Sequence, residues 1–150
     1  MRTLGLDVGT KTIGVAASDA LGLTAQAVTT VRRTSLKADL AALAELVREY
    51  EVERFVVGLP LNMDGTEGPR AEATRRFVEA LTQALGLPVE FWDERLSTVA
   101  ATRTLLEADL SRAKRRQVID QMAAQFILQG WLDARQLAPR PTPDDDELEP

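Results

Sequence analysis

Three acidic residues in separate segments are the candidates for chemistry in this chain: Asp7, Glu94 and Asp120. Asp7 interrupts the apolar stretch LGLDVG, where a carboxylate is costly to bury unless it is paired or binds a metal. The alternative is that Asp7 hydrogen-bonds the backbone of the turn that follows, as aspartate often does. Glu94 directly follows the segment PVEFWD, and Asp120 lies beside apolar residues with helical spacing.

Two missing residue types limit the available chemistry. The 150 residues include no cysteine and no histidine. Cysteine and Ser/His nucleophile systems, histidine acid–base catalysis and the usual zinc sites are therefore excluded. Carboxylates, lysines, hydroxyls and metals that prefer oxygen ligands, such as Mg²⁺ or Mn²⁺, remain.

The net charge of −5 is unevenly distributed along the chain. Residues 138–150 carry a net charge of −4, so residues 1–137 are close to neutral at −1. Within this body lies a basic cluster that could attract phosphates, made of Arg112, Lys114, Arg115 and Arg116. The alternative is a solvated loop between helices.

The hydropathy pattern predicts the elements that must position these residues. Alternating apolar residues indicate strands, and apolar residues three and four apart indicate helices. The pattern predicts strands near residues 3–8, 12–18, 22–31, 54–58 and 88–92, and helices near 36–50, 70–85, 98–108 and 117–135. Short turns join the first three strands and helices join the rest. The expected fold is α/β, with a mixed five-stranded sheet of three antiparallel then two parallel strands, and helices on both faces.

The last predicted helix, residues 117–135, places Asp120 at the edge of an apolar stripe. The stripe comprises Ile119, Met122, Ala123, Phe126, Ile127 and Gly130, and the opposite side carries Gln121, Gln125 and Gln129. An aspartate in that position is expected to point into a site or a core polar pair.

The chain is expected to form one domain over residues 1–137. No apolar run is long enough to span a bilayer and no signal-peptide pattern is present, so a cytoplasmic location without a membrane partner is expected. Residues 138–150 are rich in proline and acidic residues, which predicts a disordered acidic tail.

Four segments in order, LGLDVGTKTIGVAASD, VVGLPLNMDGTEGP, DERLST and IDQMAAQFILQGWLD, together resemble the YqgF (RuvX-like) family of the ribonuclease H-like superfamily. The resemblance covers nearly all of residues 1–137. It implies a ribonuclease H-like fold and a divalent-metal-dependent nuclease. The substrate would be either the 5′ end of pre-16S rRNA, in ribosome biogenesis, or a Holliday junction, in DNA recombination and repair.

The resemblance also implies roles for individual residues. The acidic site residues of the family would fall on Asp7, Glu94 and Asp120, which would hold two Mg²⁺ or Mn²⁺ ions. Lys11 and the basic cluster would contact phosphates without reading sequence. Arg95 either pairs with a site acid or faces solvent, and a structural role is favoured.

Two other functions remain open at the level of sequence. The segment DVGTK also resembles the phosphate-cradling hairpin of actin-like and sugar-kinase domains, although those place a nucleotide between two such domains. A non-catalytic nucleic-acid-binding module with the same fold is the second alternative. Junction resolution requires two active sites and hence a homodimer, whereas trimming an RNA end requires only a monomer.

Overall fold

The computed structural model describes residues 2–96 and 112–137, with the side chains of the last helix described over residues 122–136. Within these ranges, no helix has the length and hydropathy of a membrane span. The helix expected over 98–108 and the tail expected over 138–150 lie outside the described residues. The elements are β1 (Arg2–Val8), β2 (Thr12–Ser18), β3 (Ala25–Arg32), α1 (Leu36–Tyr50), β4 (Val52–Leu59), α2 (Pro69–Leu85), β5 (Val89–Asp93), a 3₁₀ turn (Glu94–Leu96) and α3 (Arg112–Leu137).

The five strands form one mixed sheet in the order β3-β2-β1-β4-β5. β1, β2 and β3 pair antiparallel, while β4 and β5 continue the sheet parallel to β1. The predicted mixed sheet is therefore confirmed, with β1 at its centre. We call the edge where β1, β3, β4 and β5 end the carboxyl edge. It also carries the β1–β2 turn, the loop 60–68, the start of α2 and the 3₁₀ turn.

The helices cover both faces of the sheet, as predicted. We call the face that packs against α1 and α2 the aliphatic face, because large apolar side chains fill it: Leu4, Leu6, Ile13, Val15, Phe55 and Val57 from the strands, with Leu43, Phe77 and Leu81 from the helices. We call the other face, covered by α3, the glycine face. A β-carbon at Gly5 would lie 2.7 Å from Leu128 Cβ and 3.2 Å from the Ala124 carbonyl oxygen. Glycine is what lets α3 approach the sheet this closely.

β3 begins three residues later than expected, because a compact turn precedes it. Gly22 has a φ of +72°, a conformation that suits glycine. The Asp19 carboxylate accepts hydrogen bonds from the backbone N–H groups of Leu23 at 2.7 Å and Thr24 at 3.2 Å. These bonds hold the chain in a turn until Ala25 begins the strand.

The prediction for the start of the last helix was wrong. α3 begins at Arg112, so the basic cluster occupies its first turns and not a connecting loop. No glycine or proline interrupts residues 112–117, and Arg, Ala and Lys are strong helix formers. Local propensity therefore extends the helix beyond its apolar stripe.

The predicted orientation of Gln125 and Gln129 on this helix was also wrong, while the side chain of Gln121 lies outside the described residues. Gln125 donates to the Ala25 carbonyl at 3.0 Å, and Gln129 accepts from the Ala25 N–H at 2.8 Å. The two amides thus satisfy the backbone at the start of β3. The buried side of α3 consists of Ala123, Ala124, Ile127, Leu128, Trp131 and Leu132, so its centre is shifted relative to the predicted stripe.

Candidate functional site at the carboxyl edge

Asp7 lies near the end of the central strand, on the glycine face. On one side, Asp7 pairs with Gly14 of β2. On the other side, Leu6 pairs with Val57 of β4, so the neighbour of Asp7 in β4 is Gly58. Asp7 is partly buried. Because both lateral neighbours are glycines, no side chain rises from the sheet on either side of this carboxylate.

Glu94 reaches the same region from the 3₁₀ turn after β5. Its Oε1 lies 2.9 Å from the point that a β-carbon on Gly58 would occupy, and Ile127 of α3 contacts the same point. The Glu94 carboxylate therefore lies over β4, on the face that carries Asp7. Neighbouring strands are about 4.8 Å apart, so a side chain at position 58 would stand between the two acids. The structure thus brings Asp7 and Glu94 together across a glycine.

The backbone of Asp120 belongs to α3, while its side chain lies outside the described residues. α3 runs away from the carboxyl edge, because Ile127 packs over Gly58 and Trp131 packs against Arg54 near the start of β4. Position 120, one turn before Ala124, is therefore nearer the carboxyl edge. Among the described side chains, no three acidic groups form a cluster able to hold a metal ion, and the three-acid site stays a prediction.

The neighbouring acid Asp93 has a different environment from Glu94. Arg95 donates to both of its carboxylate oxygens, from Nε at 3.1 Å and from Nη2 at 2.7 Å. These hydrogen bonds hold the pKa of Asp93 below its usual value and raise the pKa of Arg95. Arg95 also donates to the Met63 carbonyl at 3.2 Å. It therefore ties the loop 60–68 to β5, in agreement with the structural role favoured above.

The predicted phosphate contacts lie in two places. Lys11 is exposed on the β1–β2 turn, which a hydrogen bond from the Gly9 N–H to the Thr12 carbonyl closes at 2.8 Å. Arg112, Lys114, Arg115 and Arg116 occupy the first turns of α3, and their side chains lie outside the described residues. Their contact with phosphate stays a prediction.

Sequence reasoning missed three charged residues that hold the β1–β2 turn. Arg33 donates to the Gly9 carbonyl at 2.8 Å and pairs with the buried carboxylate of Asp39 at 3.2 Å. Arg70 donates to the Val8 carbonyl at 2.7 Å. Two guanidinium groups therefore bind the two carbonyls that directly follow Asp7.

Asp39, and Gly58 beside the site, carried a signal in the sequence that was overlooked. Asp39 precedes Leu43 by one helical turn, so it shares an apolar face, where a charged residue indicates a buried partner. Gly58 interrupts the apolar strand RFVVG, and a glycine inside a strand marks a close approach. No comparable pattern singled out Arg33 or Arg70.

Comparisons with known proteins agree with this architecture. The model of a family described as "RuvX: Holliday junction resolvase" matches residues 1–134. A relative from Myxococcus xanthus, named "Putative pre-16S rRNA nuclease", is 72% identical over 100% of both chains. A relative of the same name from Moorella thermoacetica is 69% identical over 89% of this chain and 95% of its own.

A solved structure of similar fold is RuvC from T. thermophilus in complex with a Holliday junction substrate. It superposes with a TM-score of 0.59 and 17% identity, over 91% of this chain and 96% of that chain. At this level of identity the likeness concerns the fold alone, and it confirms the expected ribonuclease H-like class.

Proposed function

Since the chain belongs to the RuvX family, it is a nuclease, and we propose that it hydrolyses phosphodiester bonds in pre-16S rRNA with Mg²⁺ or Mn²⁺ as cofactor. The substrate is suggested by the names of the relatives in Myxococcus xanthus and Moorella thermoacetica. The observation that supports this site is the position of Glu94 over Gly58, on the same face of the sheet as Asp7. A cytoplasmic location belongs to the same proposal.

The residues present fit a divalent metal that prefers oxygen ligands. Asp7, Glu94 and Asp120 would supply carboxylates only, which suits Mg²⁺ and Mn²⁺. A β-carbon on Gly58 would lie 2.9 Å from Glu94 Oε1, so this glycine lets the Glu94 carboxylate approach the face of the sheet that carries Asp7. Two such ions, when bound, activate a water molecule and stabilise the leaving oxygen of a phosphodiester.

The chain itself positions the acidic groups and shields one side of the site from water. Asp7 at the centre of the sheet, Glu94 on the β5 side and Asp120 on the helix above would together hold the ions. Ile127 is fully buried over Gly58, which keeps water from the inner side of the site and strengthens electrostatic interactions there. Lys11 and the basic cluster would hold the phosphate backbone of the substrate.

The test is cleavage by purified protein with Mn²⁺, on a ribosomal precursor, a single-stranded RNA and a four-way DNA junction in parallel. We expect cleavage of the precursor, lost in EDTA and reduced to background by Asp7→Asn, Glu94→Gln or Asp120→Asn. Glu90→Gln is the matched control, because Glu90 is a half-exposed acid of β5 whose nearest cation, Arg54, is 3.9 Å away. Activity that survives both EDTA and Asp7→Asn contradicts the proposal.

The second candidate function is resolution of Holliday junctions, which the description of the family model favours. Cutting two strands of a junction requires two active sites, and hence a homodimer, whereas a monomer suffices for trimming RNA. Sedimentation of the protein alone and with each substrate separates the two. Paired cuts in the junction by a dimer, with the precursor left intact, would establish the resolvase. Binding without any cleavage would instead indicate a non-catalytic module.

A further inference from the structure

We propose that Arg70 is a phosphate-binding residue of this site, held beside Asp7 by the Val8 carbonyl, an assignment that rests on the proposed nuclease function. Arg70 is the second residue of α2, which begins at the carboxyl edge after the loop 60–68. Its Nη2 donates to the Val8 carbonyl at 2.7 Å. Val8 directly follows Asp7, so the guanidinium is fixed next to the candidate acidic site.

Arg33 provides an internal comparison, because it also donates to a backbone carbonyl of this turn, that of Gly9, which follows Val8. Its Nη1 donates to the Gly9 carbonyl at 2.8 Å, and its Nε donates to Asp39 at 3.2 Å. The Asp39 side chain is 3% exposed, and the guanidinium lies 5.1 Å from the centre of the Phe77 ring. The charge of Arg33 is thus neutralised inside the protein, and its role is to hold the turn.

Arg70 lacks such neutralisation. None of the four ion pairs among the described residues includes it, and the residue is exposed. Within the described part of the chain, the bond to Val8 uses one of the five N–H donors of a guanidinium. The remaining donors, and a positive charge that none of these ion pairs neutralises, can bind an anion.

An anchored guanidinium is well suited to a phosphodiester. Its planar fork can donate two parallel hydrogen bonds to one phosphate, and fewer rotamers are lost on binding when one donor is already fixed. Lys11, exposed on the same turn and also absent from those ion pairs, supplies a second positive charge near the turn. The turn that follows Asp7 would therefore hold the sugar–phosphate backbone of the substrate beside the acids.

The test measures nucleic-acid binding separately from cleavage. Fluorescence anisotropy of a labelled precursor RNA and a labelled four-way junction is recorded in EDTA over a series of salt concentrations. Arg70→Gln removes the charge but keeps a polar side chain that can donate hydrogen bonds. We expect binding about tenfold weaker at low salt, with the slope of log Kd against log salt reduced by about 0.7–0.9, equivalent to one phosphate contact.

Two further variants separate phosphate binding from a structural role. Arg70→Lys keeps the charge, so we expect the salt slope of the wild type with a smaller loss of affinity. Arg33→Gln changes the net charge by the same amount. We expect it to lower the thermal midpoint of unfolding, because Asp39 is left buried without its partner. The slope of log Kd against log salt should stay unchanged.

An unchanged slope in Arg70→Gln, with a lower thermal midpoint, would show that Arg70 only braces the turn. An equal drop in slope for Arg33→Gln would show that the change in salt dependence comes from net charge alone, and not from a phosphate contact of Arg70. Failure of the wild type to bind either probe would also overturn the inference. If the slope falls as expected but no variant or wild type cleaves RNA or DNA, the nuclease proposal fails while the phosphate site stands.

Discussion

The two faces of the central sheet are packed in opposite ways. The aliphatic face is filled by large side chains, and Leu4, Leu6, Ile13 and Phe55 are fully buried there. On the glycine face, α3 lies so close to Gly5 and Gly58 that a β-carbon at either position would collide with the helix. The aliphatic face therefore buries apolar area, whereas the glycine face lets α3 and the carboxylates come close to the strands.

The two adjacent acids at the end of β5 show how this division affects chemistry. Asp93 is the register partner of Leu59, beside the position of Gly58, and its charge is neutralised by Arg95. Glu94 instead lies over Gly58, where no side chain of β4 blocks it from Asp7. Neighbouring residues of the same charge thus serve stability in one case and the candidate site in the other.

The largest expected effect on stability comes from emptying the aliphatic face. Phe55 is fully buried, so Phe55→Ala should lower the free energy of unfolding by about 3–5 kcal/mol. Urea denaturation measures the change. The control is Leu36→Ala on α1, since Leu36 is 49% exposed and its change should stay within about 0.5 kcal/mol apart from helix propensity. Equal effects of the two substitutions would contradict the packing described here.

A smaller loss is expected from adding bulk to the glycine face at Gly5. Gly5→Ala places a methyl group against Leu128 Cβ and the Ala124 carbonyl, and we expect a loss of about 2–3 kcal/mol by urea denaturation. Leu128→Ala should not relieve the strain, because alanine keeps the β-carbon that causes the closest contact. Recovery of stability in the double variant would disprove this account of the helix–sheet contact.

At Gly58 the obstacle is the flexible end of a side chain, so the expected loss is smaller. Gly58→Ala should cost about 1–2 kcal/mol, because the new methyl group collides with Ile127 Cδ1. Ile127→Val removes that atom, and the double variant should regain stability in a double-mutant cycle. Nuclease activity should not return, since the methyl group still displaces the Glu94 carboxylate. Simultaneous recovery of activity would show that the Glu94 position is unimportant.

The smallest expected effect concerns the neutralised acid, Asp93. Because its folded-state pKa is lowered by Arg95, the pair contributes stability above the ordinary aspartate pKa of about 3.9. That contribution is lost as the pH falls through the lower folded-state value. Arg95→Gln should raise the pKa of Asp93, as measured by carbon-13 NMR titration of its carboxyl group. An Asp93 pKa that does not move would mean that Arg95 is not its dominant partner.

The sequence by itself determined the five strands, the first two helices and their order. Short alternating or unbroken apolar runs marked the five strands, and Ser35 caps α1, since its hydroxyl accepts from the Ala38 N–H at 3.1 Å. Gly86, with a φ of +68°, ends α2. These features depend on residues a few positions apart, so local periodicity and capping chemistry suffice to predict them.

The sequence also singled out Asp7 and Glu94, but only the tertiary structure decided how they meet. β1, which carries Asp7, and β5, which Glu94 follows, are separated by β4, and the residue between the two acids is Gly58. The bonds from Arg33 and Arg70 to the turn after Asp7 likewise join segments distant in the chain. Local patterns encode which face a side chain occupies, whereas the strand order and the approach of α3 decide what lies beside it.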